Sequence, residues 1–326
     1  MNITIVNQSK IPALLYGGTE RVIWYLGKEL TKLGHKVTYL VAANSYCDFA
    51  KVLEIDVNKS FNSQIPKNTD IVHFNFPVNE KIDKPYIITI HGNSSPEQEF
   101  DINSVFVSKN HAQRHNADSF VYNGLDWDDY GDPDFVKKQE YFHFLANAAW
   151  KVKNLNGAIK ICNLADKELA VIGGSRLNFK MGFRLTTSRK TKFYGIIGGD
   201  EKNNIIKGSR GLIFPVLWDE PFGLAIIESM YFGCPVFGTP YGSLPELVKQ
   251  DIGFLSTNSA KIAKAVINSN SFKRKLISEY AIDEFNSKKM TLGYLKKYEI
   301  VLSGNNLNAN RPIYLSKKHC KNFIFE

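Results

Sequence analysis

Cysteine is scarce. The four residues Cys47, Cys162, Cys234 and Cys320, in a chain of 326, stand far apart and never as a CxxC pair. That distribution offers neither a metal knuckle nor a disulfide framework, and reads as reduced thiols beside apolar segments in a cytoplasmic protein. Long apolar runs are missing too. No stretch approaches the roughly 18 residues that a spanning helix needs, and the first residues, MNITIV, enter a strand-like segment with no cleavable leader pattern. Neither secretion nor membrane spanning is expected. Repeats of fixed period and low-complexity tracts are absent as well. The basic residues form no long block: apart from modest clusters at 273–275 and 317–321 they are scattered, which argues against a nucleic-acid-binding face.

What is present is an ordinary globular composition, 44% hydrophobic and 22% charged, on a chain long enough for about two domains at ~150 residues each. Lysine and arginine number 41 against 32 aspartate and glutamate, a net charge of +9. Such a balance favours anionic partners such as nucleotides, lipid head groups or nucleic acid, without choosing among them.

Short apolar runs alternate with helical patterns, as in parallel sheets covered by helices on both faces. The predicted strands of a first domain are Ile3 to Val6, Lys36 to Ala42, Ile71 to Phe74, Tyr86 to Ile90, Ser104 to Ser108 and Ser119 to Tyr122. Between the first two, Val22, Ile23, Leu26, Leu30 and Leu33 recur at helical spacing and Gly34 supplies the stop. The acidic, Gly- and Pro-containing stretch that follows Leu125 reads as an interdomain link. A second series then begins, with strands expected at Tyr141 to Leu145, Glu168 to Ile172, Thr191 to Tyr194, Gly211 to Phe214 and Pro235 to Gly238. The division is thus a first domain over 1–126, a linker over 127–140, a second domain over 141–302 and a tail over 303–326, ordered or loose. The fold class is α/β, with two Rossmann-like domains.

The segment from Phe214 to Val248, FPVLWDEPFGLAIIESMYFGCPVFGTPYGSLPELV, carries the most chemistry. A strand ends, a loop bears Glu220, and a helix begins around Phe222 to Leu224. Unpaired N–H groups and the positive dipole end suit such a start to a phosphate, and Gly223 lets a bulky group approach the backbone. Glu220 and Glu228 bracket it, and carboxylates that accept from paired hydroxyls hold sugars and riboses. The plainer alternative is a helix-entry charge and a solvated helix residue.

This segment resembles the signature of family 4 glycosyltransferases, retaining enzymes of GT-B fold: Pro215, Glu220, Phe222, Gly223, Leu224, Glu228, Gly233, Pro235, Val236 and, with one extra residue, Gly242, Pro245 and Glu246. Three other stretches are similar to the same family. Leu15 to Trp24 (LYGGTERVIW) resembles its Gly-Gly-x-Glu loop, with Gly17 and Gly18 before a helix, where the backbone approaches donor phosphates or acceptor. Thr89 to Gly92 (TIHG) sets His91 at a strand end. Asn123 to Asp126 (NGLD) resembles the turn that closes the N-terminal domain and is read as structural. One departure stands out. Lys153 aligns with the family's phosphate-clamping Lys, but Asn147 stands where an Arg is expected and Asn154 where a Gly is expected, so one cation of the clamp is missing. Either Lys151 or another base substitutes, or turnover is weakened or lost. The glycines of LAVIGGS (169–175) and FYGIIGGD (193–200) lack the full dinucleotide fingerprint. They fit the family's second-domain strands, with Ile197 expected along the nucleobase and Asp200 and Glu201 at the start of the next helix.

The resemblance implies a GT-B protein that moves a sugar from a nucleoside-diphosphate donor, UDP-linked before GDP-linked, onto an acceptor hydroxyl with retention and without a metal or cofactor. Glu220, His91 and Lys153 would be catalytic. Gly18, Phe222, Gly223, Leu224, Glu228, Asn147 and Ile197 would bind donor, Glu228 through the ribose. The expected partners are the donor and a glycan or lipid-linked acceptor in surface-polysaccharide or glycolipid assembly, with peripheral contact to an anionic membrane from the cytoplasm and no nucleic acid. The alternatives are a phosphorylase or epimerase relative, against which the Glu220 and Glu228 pair argues, a sugar-nucleotide-binding module without transfer, and a nucleic-acid binder.

Overall fold

All four residues of Ile71–Phe74 are buried, as a parallel strand with helices on both faces requires. That strand belongs to the first of two compact units into which the chain divides: Met1–Asp126 with Phe285–Lys317, and Trp127–Glu284 with Lys318–Glu326. The structure, a computed structural model, describes residues 1–13, 17–136, 139–179, 183–315 and 323–326. Leu15 and Tyr16 of the first glycine motif, Cys320 and the basic cluster at 317–321 lie outside the described residues.

In the first unit the elements are β1 (Asn2–Val6), α1 (Gly18–Lys32), β2 (Lys36–Val41), β3 (Lys51–Glu54), α2 (Phe61–Gln64), β4 (Ile71–Phe74), β5 (Tyr86–Ile90), β6 (Ser104–Phe106) and α3 (Lys109–Arg114). The strands pair in parallel in the order β3-β2-β1-β4-β5-β6.

The second unit contains β7 (Tyr141–Leu145), α4 (Leu155–Leu164), β8 (Glu168–Ile172), β9 (Leu177–Asn178), β10 (Arg184–Leu185), β11 (Thr191–Phe193), α5 (Gly199–Gly208), β12 (Leu212–Phe214), α6 (Leu224–Tyr231), β13 (Val236–Gly238), α7 (Leu244–Leu247), β14 (Gly253–Leu255), α8 (Ser259–Ile267) and α9 (Arg274–Glu284). Its six-stranded sheet has the order β11-β8-β7-β12-β13-β14, while β9 and β10 form a separate antiparallel pair. Chain order reverses between β7 and β12, the switch point beside which doubly wound sheets bind ligands at their carboxyl ends.

The last helix, α10 (Ser287–Leu302), corrects the expected boundary: read from sequence as the end of the second domain, it packs in the first unit. Periodicity does not say which sheet a helix covers, whereas its buried hydroxyls do. The Tyr298 hydroxyl lies 2.8 Å from His73 Nδ1, and Tyr294 accepts from Thr89 Oγ1 at 3.1 Å. His73 Nε2 closes the network on Thr89 at 2.7 Å. The Asn123–Asp126 segment, expected as a turn, holds the entry to α10 through a bridge between Leu125 and Asn286. A Cβ on Gly124 would lie 2.1 Å from the Asn286 carbonyl oxygen, and Asp126 pairs with Lys28 at 2.8 Å.

Two other expectations change, and the tail, which the sequence left open as ordered or loose, makes backbone hydrogen bonds within its described residues. Ser119 to Tyr122 forms a single bridge, Phe106 to Phe120, rather than a strand. The expected linker is not free: Trp127 and Tyr130 are buried in the second unit, and the Trp127 and Tyr231 rings stack at 4.5 Å. In the tail, the Ile313 and Tyr314 amides donate to His115 and Gln98 of the first unit, and the Glu326 amide to Thr257 of the second.

Candidate functional site

Two loops of the second unit meet at the switch point. After β7 the chain makes a turn in which Asn147 Oδ1 accepts the Ala149 amide at 3.0 Å, then a 3-10 turn over Lys151–Lys153 before α4. Asn154 ends that turn at φ 54°, a left-handed conformation natural to Gly and tolerated by Asn. Its side chain also caps α4, with Oδ1 accepting the Gly157 amide at 2.9 Å, and its Nδ2 donates to the Pro215 carbonyl at 2.9 Å. Asparagine in the expected glycine's place is therefore consistent with the backbone. The second loop leaves β12 at Pro215, and the Leu217 amide donates to the Val152 carbonyl at 2.7 Å, pinning the two loops together.

The chemistry concentrates between them. Lys153 Nζ donates to Glu220 Oε2 at 2.6 Å, and Trp218 Nε1 donates to the same oxygen at 2.7 Å. Lys153 Nζ lies 4.6 Å from the Trp218 ring centroid and 5.3 Å from that of Phe214, a stacked-cation environment that replaces lost water. Both charges are buried, which is stable only because they face one another. Among the described residues Glu220 Oε1 carries no hydrogen bond and is left to accept one from a ligand hydroxyl.

The loop's shape is imposed from behind. A Cβ on Gly242 would lie 2.1 Å from the Glu220 nitrogen, and Gly242 sits at φ 62°. The Ser243 amide donates to the Glu220 carbonyl at 2.9 Å, and Ser243 Oγ to that of Phe222 at 2.6 Å. Gly223, at φ 94°, caps α6. It and Leu224 are partly exposed, so the start of α6 is open to solvent and presents its first amides there.

The expected donor residues do not all stand alike. Phe222 is buried at 2% exposure and shapes the loop through its carbonyl, which accepts from Ser243 Oγ. Glu228 is 1% exposed; its Oε2 accepts from Lys202 at 2.6 Å and its Oε1 from the Tyr130 hydroxyl at 3.3 Å. Neither carboxylate waits unpaired or solvated, since a buried carboxylate demands a cation. Ile197 is half-buried in the loop after β11, beside Gly195, whose carbonyl accepts the Gly173 amide at 2.6 Å. Asp200 and Glu201 lie in the first turn of α5 but make no side-chain cap there. Sequence reasoning missed Trp218, Ser243, Lys202 and Tyr130. Of these only Trp218, two residues from Glu220, carried a local signal.

In the first unit, Gly18 opens α1 after β1, and His91 follows β5 with its Nε2 2.9 Å from Asn75 Oδ1. Burial pushes the imidazole down to about 4, so the ring is neutral near pH 7 and exchanges a hydrogen bond rather than a charge. Among the described residues no helix is long and apolar enough to cross a membrane.

Residues 127–282 match the family model "Glycosyl transferases group 1". Over 70 residues the chain is 30% identical to an uncharacterized glycosyltransferase of Methanocaldococcus jannaschii, a stretch covering 22% of this chain and 18% of that protein. Among solved structures it is similar to a glycosyltransferase involved in avilamycin A biosynthesis (17% identity, TM-score 0.74, 93% of this chain and 98% of that one). It is also similar to the Anabaena protein HepE in complex with UDP and glucose (15% identity, TM-score 0.66, 91% and 99%). At these identities the likeness shows the fold, which is GT-B.

Proposed function

We propose that the chain, whose residues 127–282 match the group 1 glycosyl transferase model, is a retaining glycosyltransferase acting without a metal or cofactor. It transfers a sugar from a nucleoside-diphosphate sugar, UDP-linked, to a hydroxyl of a glycan or lipid-linked acceptor. The observation that carries this reading is the buried Lys153–Glu220 pair, with Trp218 on the same carboxylate oxygen, beside the open amino end of α6.

In this reading the donor diphosphate lies against the first amides of α6, where Gly223 leaves room for it. As the bond from the sugar's anomeric carbon to phosphate oxygen breaks, negative charge grows on the leaving group. The helix start and Lys153 oppose that charge. The acceptor oxygen bonds to the same face of the anomeric carbon, and its proton passes to the leaving phosphate, so no carboxylate serves as nucleophile. Glu220 Oε1 holds a sugar hydroxyl while Oε2 stays on Lys153. Glu228 has a ribose within its reach only by sharing its carboxylate with Lys202 and Tyr130. Gly18 and the neutral His91 serve the sugar and acceptor side, and Ile197 the nucleobase. A net charge of +9 supports an acceptor at an anionic surface, a surface glycan or glycolipid precursor at the cytoplasmic face of a membrane.

A second reading, a sugar-nucleotide-binding protein without transfer, is favoured by Asn147, which is uncharged and spends its side-chain oxygen on its own turn. Incubation with a panel of UDP- and GDP-sugars, with and without glycan acceptors, separates the two. The transferase gives donor turnover that Glu220→Ala abolishes; binding with no turnover from any donor–acceptor pair favours the second reading.

A further inference from the structure

A diphosphate is strongly anionic, yet the two lysines beside the described site are each neutralised. Lys153 is matched by Glu220 and Lys202 by Glu228, each at 2.6 Å, and Asn147 at the end of β7 brings no charge. A site of no net charge binds and stabilises a leaving diphosphate poorly. A further cation would serve at the carboxyl ends of β7 and β8: Lys151 stands exposed in the 3-10 turn, and β10 holds another, Arg184, fixed in place.

The β9–β10 hairpin sets Arg184 there. Its Nη1 donates to the Ala148 carbonyl, next to Asn147, and its Nη2 to the Ser175 carbonyl at 2.9 Å. The ring of Phe193 lies 5.9 Å from its guanidinium carbon. Among the described residues the guanidinium makes no ion pair, and its Nε is buried without a hydrogen-bond partner. A partly desolvated cation held by two neutral carbonyls is under-compensated, and an anion is the partner that satisfies it. A cavity of about 200 Å³ opens between the hairpin and the loop bearing Lys153, lined by Ala148, Trp150, Lys151, Asn154, Phe183 and Arg184. The hairpin is itself held in place. Arg176 Nη1 donates to the Thr186 and Ser188 carbonyls and its Nη2 to that of Thr191, at 2.8, 2.9 and 2.6 Å.

We propose that Arg184 is the second phosphate-binding cation of this site, supplied by the hairpin where Asn147 supplies none. The inference rests on the nucleotide-sugar reading above and adds a residue to it. The fixed guanidinium fork offers its remaining N–H donors to a phosphate oxygen, so its contribution belongs to the diphosphate and not to the nucleoside.

Calorimetric titration of the full chain with UDP, GDP and UMP tests it. Wild-type protein should bind UDP or GDP, and Arg184→Gln should weaken that binding about 10- to 100-fold, the loss of a charge-assisted phosphate contact, while narrowing the preference for UDP over UMP. If Arg184→Gln melts well below wild type, Arg184→Lys serves instead; it keeps the charge without the fork and should show a smaller loss, again confined to the diphosphate. Unchanged UDP affinity in these variants, or a loss carried by Lys151→Gln instead, overturns the proposal and leaves the proposed function standing. Wild-type protein that binds no nucleotide overturns both.

Discussion

Lys153 Nζ and Glu220 Oε2 lie 2.6 Å apart with side-chain exposures of 10% and 7%, an ion pair closed off from water at the switch point of the second sheet. Removing one partner leaves the other charge buried and unmatched. Lys153→Met or Glu220→Ala alone should therefore destabilise the second unit by about 3 kcal/mol. The double variant Lys153→Met with Glu220→Ala should lose less than the two single variants together. Urea unfolding of wild type and these three variants measures the coupling, and additive losses would count against a paired site.

Gly242 forms the wall behind this loop. A Cβ there would meet the Glu220 nitrogen at 2.1 Å and its carbonyl oxygen at 2.4 Å, on a backbone at φ 62°. Gly242→Ala is expected to displace Glu220 and lower donor turnover at least about tenfold, because misplacement of about 1 Å is costly in a positioned site. Gly34→Ala, at φ 85° with open space around it, is the control, with a small loss of stability and unchanged turnover.

The histidines of the first unit give it an acid limit. Burial pushes His91 and His115 down to about 4 and His73 to about 3, and holds His111 well below its ordinary value. Arg114, beside His111 and His115, lowers both further. Each ring is neutral in the folded chain while its unfolded counterpart takes a proton near pH 6.5. Stability is then full above about pH 7 and falls as pH drops through 6.5 toward 4, by up to about 1.4 kcal/mol per pH unit for each histidine. Thermal melting between pH 8 and 4 should show a decline steeper than one proton accounts for. His73→Leu should flatten the curve while lowering its plateau.

Tyr298 couples the last helix to the first sheet. Its hydroxyl and the two ring nitrogens of His73 form a closed network with Thr89. Tyr298→Phe leaves a buried imidazole nitrogen unpartnered and should cost about 1–3 kcal/mol. A chain ending at Glu284 should lose the ordered first unit entirely, which hydrogen exchange across 1–126 reads directly. Retention of native protection there would return α10 to the second unit.

Much of the site was legible because its residues are close in sequence and its geometry demands particular types. Gly223 at φ 94° and Gly242 at φ 62° are positions where other residues strain, and Glu220 and Gly223 share the single loop between β12 and α6. The sheets were legible for a similar reason, since Ile71 to Phe74 or Glu168 to Ile172 can only be strands buried on at least one face. Partners distant in sequence were not legible. Nothing local links Lys202 to Glu228, 26 residues on, or Arg184 to Ala148, 36 residues back. Short edge strands such as Lys51–Glu54, with no fully buried residue, lack the apolar run that marks a central one. The side taken by α10 depended on hydroxyl pairing, which periodicity ignores.

The most direct test is a crystal structure of the full chain with UDP. The diphosphate is expected over Gly223 and the first amides of α6, within reach of Lys153 and with the nucleobase toward Ile197. A nucleotide bound elsewhere, or the start of α6 covered by protein with the ligand excluded, would contradict the assignment of this site.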